Sequence, residues 1–108
     1  IASTDADFLL AEQEGAVVGL ALVLYAGWTP EFSCVLPHRY ASLNDLVVLR
    51  EKRRQGIGST LLAAAKRWAR DRRLEYLELN VLSQNSEAIE LYEAHDFVEA
   101  TRTMRCML

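Results

Sequence analysis

Ten residues, "EKRRQGIGST" (Glu51–Thr60), constrain this chain more than any others: three consecutive cations, then two glycines one residue apart. They separate two segments of different period. Upstream, "SLNDLVVL" (Ser42–Leu49) ends in an apolar run with no polar alternation, the pattern of a strand covered on both faces. Downstream, Leu61, Leu62, Ala65, Trp68 and Ala69 recur at helical spacing and predict a helix from about Ser59 to Arg72. In "LEYLELNVL" (Leu74–Leu82), Leu77, Leu79 and Val81 alternate, so a strand follows. Strand, Gly-rich turn, helix, strand implies a right-handed crossover and two parallel neighbours.

The flanks complete a mixed sheet. Phe8–Glu12 and Val17–Tyr25 are apolar runs joined across Glu14-Gly15, a hairpin in which Gly15 supplies the positive φ. Trp28–Tyr40, with Pro30 and Pro37, reads as irregular or a broken strand end. Asn85 and Ser86 open a second helix that runs to about His95, and residues 97–108 read as one extended strand or two short ones. The fold class is α/β with a mixed sheet. With 108 residues and neither repeats nor linkers, residues 1–108 form a single domain.

Composition narrows the function classes. The apolar share of 51% and charged share of 25% are those of an ordinary globular protein, and a net charge of −3 excludes bulk attraction to nucleic acid. Cations are nonetheless concentrated in 50–54 and 66–73, which leaves room for a local anion site. Cys34 and Cys106 are too few for a disulfide scaffold and lack metal-ligand spacing with His38 or His95, so no metal is expected. The apolar stretch 16–27 is too short to cross a bilayer, and no signal peptide is visible. Reduced thiols and the absence of membrane features predict a cytoplasmic protein with no membrane partner.

A Gly-rich turn at a helix N-terminus is the physical recipe for holding a phosphate. Free backbone N–H groups and the positive end of the helix dipole point into it. Gly56 and Gly58 leave no Cβ in the way, and Arg53 and Arg54 add charge. The dipole alone contributes only about 0.3–1 kcal/mol when exposed, so the amides and arginines must share the task. A glycine pair that merely shapes a solvated loop is the alternative. No "GxxxxGK[ST]" is present, and no third glycine completes "GxGxxG", so neither common nucleotide loop applies.

"Arg53-Arg54-Gln55-Gly56-Ile57-Gly58", after "Asn44-Asp45-Leu46-Val47-Val48", resembles the R/Q-x-x-G-x-G/A signature of the GNAT superfamily of acyl-CoA-dependent N-acyltransferases. "Asn85-Ser86-Glu87-Ala88-Ile89-Glu90-Leu91-Tyr92-Glu93-Ala94-His95-Asp96-Phe97" is similar to the family's N-x-x-A-x-x-x-Y-x-x-x-G-F helix. The strand entry also resembles the diamine/polyamine acetyltransferase-like branch. The resemblance implies a mixed, mostly antiparallel sheet whose central parallel pair splays to hold coenzyme A, with helices on both faces. It implies acetyl-CoA as co-substrate, an amine acceptor attacking the thioester directly, and no nucleic-acid role.

The same resemblance assigns residues. Arg53, Arg54, Gln55, Gly56, Ile57, Gly58 and Ser59 would cradle the pyrophosphate, and the backbone of Leu46, Val47 and Val48 would hold the pantetheine arm. Asn85 and Ala88 would contact the coenzyme, and Tyr92 would protonate the departing thiolate. Three departures matter. Asn44 stands where the polyamine branch has its glutamate base, which leaves Asp45, or a water relay to Asp45 or Glu31, to take the proton; Glu31, Asn44 and Asp45 then face the acceptor. Asp96 replaces the glycine after the second helix. The strand and helices that usually precede the hairpin are absent or nearly so: either that region is trimmed or disordered, or a second subunit covers the gap, for which a homodimer is expected. A non-catalytic CoA sensor or assembly domain stays open as the rival reading.

Overall fold

The computed structural model describes residues 6–27 and 39–108, so Glu31 and the irregular segment expected before Arg39 lie outside the described residues. The hairpin forms as read. Glu14 and Gly15 have φ of 50° and 81°, the two positive values that match a two-residue loop to the right-handed twist of its strands. They join β1 (Ala6–Gln13) to β2 (Ala16–Gly27), and β2 pairs antiparallel with β3 (Arg39–Val48). A single 3₁₀ turn, Arg50–Lys52, leads into α1 (Ile57–Asp71). β4 (Leu77–Leu79) and α2 (Ser86–Ala94) follow. The sheet order is β1-β2-β3-β4, with β3 and β4 parallel. The crossover is thus the one that the period change across the Gly-rich turn demands.

One stripe of α1 makes the core. Ile57, Leu61, Leu62, Ala65, Trp68 and Ala69 are buried against Val18, Ala21, Val23, Ala41 and Leu43 of the sheet. Leu62 is fully enclosed, and burying a side chain of that size contributes about 1.5–3 kcal/mol. Gly19 makes the close approach possible: a Cβ there would stand 3.1 Å from Ile57 Cγ2, from Leu61 Cδ1 and from the Val47 carbonyl. The far end of α1 is tied to β1 by polar contacts. Trp68 Nε1 donates to Asp7 Oδ2 at 2.8 Å, and the Arg72 guanidinium reaches the same oxygen at 3.2 Å while stacking 3.9 Å over the indole.

Both helices end on a residue in the left-handed region. Arg73 has φ 57°, with Leu74 N–H bonded to Ala69 C=O and Arg73 N–H to Arg70 C=O. Asp96 has φ 70°, with Phe97 N–H on Tyr92 C=O and Asp96 N–H on Glu93 C=O. This is the Schellman arrangement, usually closed by glycine. Asp96 therefore does adopt the conformation its family counterpart supplies with glycine.

Four details differ from the expected architecture, although the class stands. β4 spans three residues instead of the nine expected, because only Ala41–Leu43 lies opposite it. Residues 97–108 form no strand: Val98, Met104 and Met107 are about 85%, 84% and 84% exposed and have no strand beside them. The parallel pair consequently closes one side of the sheet instead of lying at its centre. Among the described residues both helices lie on one face, Leu91 of α2 reaching Gly58 of α1, and the opposite face leaves Phe8, Leu10 and Val47 exposed.

Candidate functional site

β3 and β4 run together only from Ala41 to Leu43, opposite Leu77–Leu79, and then part. The divergence follows from β3 itself. Its pairing with β2 is irregular at Leu22/Val23, where Asn44 is the extra residue, and the bend carries the second half of β3 away from β4. Beyond the bend, Leu49 N–H bonds to Val18 C=O at 2.9 Å. Alternation then turns the peptide groups of Val47 toward β2 and those of Leu46 and Val48 toward the open edge. The Val48 carbonyl confirms this, because it accepts from Arg53 Nε at 3.3 Å. The result is a wedge whose one wall is bare strand backbone.

The Gly-rich turn closes the top of that wedge. Gly56 is the N-cap of α1 at φ 80°, and a Cβ placed on it would meet nothing within 4 Å. The first helical bond runs from Thr60 N–H to Gly56 C=O, so Ile57, Gly58 and Ser59 have no helical acceptor for their N–H groups. No side chain caps them. Arg54 takes φ 65°, a conformation a branched or bulky residue holds only under local strain, and it is exposed beside Gln55. Three N–H groups at a positive helix end with no Cβ in the way form a cradle for an anion.

The two glycines divide the task in a way the spacing alone does not reveal. Gly56 shapes the turn, whereas Gly58 lets α2 approach: its Cβ would lie 3.3 Å from Leu91 Cδ2. Likewise Arg53 is not a free charge. Its tie to Val48 stitches the turn to the strand, a role visible in the sequence only as an arginine five residues after the strand's last valine. A shallow cavity of about 310 Å³ lies on the β1 side of the turn, where Glu12 and Gln13 meet Gln55 and Thr60. A carboxylate in its wall makes that cavity unsuited to a diphosphate, so the anion cradle is the mouth of α1 itself.

α2 brings Tyr92 to this side of the sheet. Asn85 caps the helix, its Oδ1 accepting from Ala88 N–H at 3.2 Å, so the first turn is fixed. At the other end Tyr92 packs on Phe97 with ring centroids 5.9 Å apart, the contact that accompanies a Schellman end. Lys66 Nζ donates to His95 C=O at 2.6 Å and lies 5.8 Å from the Phe97 ring, which holds the whole corner to α1. Tyr92 is half-buried, and desolvation raises its phenol above the ordinary value of 10.0. It is protonated at neutral pH and able to donate.

The carboxylate expected as base lies on the opposite face of the sheet from Tyr92. Leu46 and Val48 point their side chains into the core beneath α1, so Asp45 and Val47, alternating with them, face the other side of the sheet. Asp45 is exposed there, opposite Leu22. Its neighbour Asn44 is held by the Ser42 hydroxyl, which donates to Asn44 Oδ1 at 2.6 Å. The structure thus separates Tyr92 and Asp45 across the sheet, with the wedge between them.

An open helix N-terminus at a Gly-rich turn, a splayed parallel pair and a phenol on the helix side of the gap accord with the sequence match. Residues 1–97 match the acetyltransferase (GNAT) family. The chain belongs to that family. Among curated GNAT relatives, the uncharacterized N-acetyltransferase YhfO of Bacillus subtilis (strain 168) is 38% identical over 93 residues, covering 86% of this chain and 59% of YhfO. Thialysine N-epsilon-acetyltransferase of Caenorhabditis elegans is 31% identical over 91 residues, 84% of this chain and 52% of that protein. The chain therefore spans between about half and three fifths of the curated relatives it matches.

Solved structures agree on the fold. A mutant of the BH1408 protein from Bacillus halodurans superposes with a TM-score of 0.90 at 20% identity, over 96% of this chain and 66% of that one. The aminoglycoside acetyltransferase AAC(6')-Iy, bound to the bisubstrate analog CoA-S-monomethyl-acetylneamine, gives 0.83 at 18% identity, over 98% of this chain and 71% of that one. The membership of the superfamily read from the two motifs holds, whereas nothing singles out the polyamine branch.

Proposed function

We propose that this chain transfers an acetyl group from acetyl-CoA to a primary amine of a small molecule or a protein. The observation that carries the reading is the open turn at Gly56 with three unpaired helix N–H groups above a gap between parallel strands. The residues fit the coenzyme: the cradle has no Cβ in the way, and basic Arg53 and Arg54 flank it. Acetyl-CoA supplies the activated acyl group as a thioester. The complex of AAC(6')-Iy with a CoA-linked bisubstrate analog and the thialysine acetyltransferase relative support the pairing of a CoA thioester with an amine.

The chain's own groups divide between the two sides of the sheet. Gln55 to Ser59 grip the diphosphate, and the Leu46 and Val48 peptides line the path below it. Oδ1 of Asn85 is engaged in capping, which leaves its amide nitrogen to bond the coenzyme above Ala88. On the helix side, Tyr92 Oη donates its proton to the leaving sulfur. On the opposite side, the Asp45 carboxylate takes a proton from the incoming ammonium, directly or through water, with Asn44 beside it; Glu31, outside the described residues, is the other candidate acceptor of that proton. General acid or base help of this kind contributes about 10²–10⁴-fold each. The core cluster supports treating 1–108 as one domain, and the proposed location is the cytoplasm.

Calorimetric titration with acetyl-CoA tests the reading. Arg54→Glu and Gly56→Glu should each weaken binding at least tenfold while melting as cooperatively as the parent chain. Equal affinity in all three would overturn it. Binding without thiol release across a broad amine panel would instead favour the sensor role.

A further inference from the structure

Asn44 and Asp45 are consecutive in β3, yet their side chains share one face of the sheet, which regular alternation forbids. Ala41 and Leu43 are buried in the core beneath α1, so Ser42 points to the other side. The Ser42 hydroxyl donates to Asn44 Oδ1 at 2.6 Å, which keeps Asn44 on that side as well. Leu46 and Val48 return to the core, so Asp45 also faces away from α1. The irregular pairing at Leu22/Val23 is what lets two neighbouring side chains point the same way. Their Cα atoms are then only about 3.8 Å apart.

The bond to Ser42 also decides what Asn44 can offer. A separation of 2.6 Å lies in the O–H···O range and below the usual N–H···O range, so the carboxamide oxygen faces Ser42 and its NH2 group is left to other partners. Asn44 thus presents donors, and the ionised Asp45 beside it presents acceptors alone. We propose that this adjacent donor and acceptor select an α-amine, the group shared by a free amino acid and the N-terminus of a peptide. Asp45 takes the ammonium, and the Asn44 NH2 bonds the carbonyl oxygen on the neighbouring carbon. The spacing fits, since an α-nitrogen and its carbonyl carbon are about 2.5 Å apart by standard bond lengths. A diamine has no oxygen to offer and leaves the Asn44 donors unpaired. A lysine ε-amine lies a whole side chain away from its carbonyl. Ser42 is a positioning residue, because it acts only through the orientation of Asn44. The proposal rests on the acetyl-transfer reading, with Asp45 receiving the proton.

Thiol release from acetyl-CoA, measured with alaninamide, alanine, 1,4-diaminobutane and Nα-acetyl-lysine amide, tests it. An α-amine loses its proton at lower pH than a lysine, so kcat/KM is compared per unprotonated amine. On that basis the parent chain should prefer the α-amines by about tenfold or more. Alaninamide should lead if the acceptor is a peptide N-terminus, and alanine if it is a free amino acid. Asn44→Asp, which replaces the NH2 donor by an acceptor, should erase the preference. Ser42→Ala should reduce it severalfold through KM, and Ser42→Thr should restore it. Acetyl-CoA affinity, read by calorimetry, should be the same in every variant. A parent chain that favours the diamine or the lysine amide would overturn the proposal alone, as would a preference that survives Asn44→Asp. Failure to bind acetyl-CoA, or to turn over any of the acceptors, would overturn the transfer reading and the proposal with it.

Discussion

Tyr92 and Asp96 sit four residues apart, and each has a separable effect. The phenol is raised by desolvation, so the native state keeps its proton to higher pH than the unfolded chain. The associated stability is complete below pH 10 and declines as pH rises through the raised native value. Tyr92→Phe should abolish that alkaline decline, measured as the urea midpoint at pH 8 and above pH 10, because the ring contact with Phe97 survives. The same variant should lower amine-dependent thiol release about 10²–10⁴-fold with acetyl-CoA affinity unchanged. Asp96→Gly acts on stability alone. It relieves a left-handed residue at φ 70°, worth about 1 kcal/mol less the entropy glycine adds to the unfolded chain, and should raise the melting temperature by roughly 4 °C. Both positions were legible through the resemblance of Asn85–Phe97 to the family's helix, and local structure agrees: α2 carries Tyr92 and ends at the left-handed Asp96. The side of the sheet that Asp45 faces was not, because one extra residue at Asn44 inverts the alternation and leaves no mark on composition.

Elements held by local signals were readable, and elements held by distant partners were not. Glu14-Gly15 announces the hairpin and the Leu61–Ala69 stripe announces α1, whose start differs from expectation by two residues. β4 is shorter than its alternation because a strand extends only as far as its neighbour stays beside it, and β3 bends away after Leu43. The segment after Phe97 has the alternation without the neighbour. Glycines show the same division. Gly15 is needed for its φ of 81°, in open space, so Gly15→Ala should cost about 1–2 kcal/mol from backbone strain alone. Gly19 has ordinary strand geometry but three atoms 3.1 Å from a would-be Cβ, one of them the Val47 carbonyl. Gly19→Ala should therefore lose about 1–3 kcal/mol by overpacking, and a compensating Leu61→Val should recover part of it. Chemical denaturation of the three variants separates the two causes, since Leu61→Val cannot rescue Gly15→Ala.

For the whole molecule, charge is arranged against its average. The chain bears −3 overall, yet Arg50, Lys52, Arg53 and Arg54 crowd the mouth of α1 with only Glu51 among them. A diphosphate approaching from bulk solvent meets a repulsive body and an attractive entrance. The attraction acts over about one Debye length, roughly 10 Å at 0.1 M salt and 3 Å at 1 M. The backbone N–H groups of Ile57, Gly58 and Ser59 act at contact and are screened little. Acetyl-CoA affinity should accordingly fall severalfold between 0.05 M and 0.5 M sodium chloride and then level at a value set by the amides. Arg53→Gln with Arg54→Gln should flatten that dependence and lower the low-salt affinity toward the same plateau, as read by calorimetry across the salt series. Arg53→Gln alone should lower the slope about as much as Arg54→Gln, because its bond to the neutral Val48 carbonyl leaves the guanidinium charge in place, and should in addition loosen the turn. A slope unchanged by both substitutions would mean that the entrance charges do not see the ligand, and the cradle would have to be sought elsewhere on the molecule.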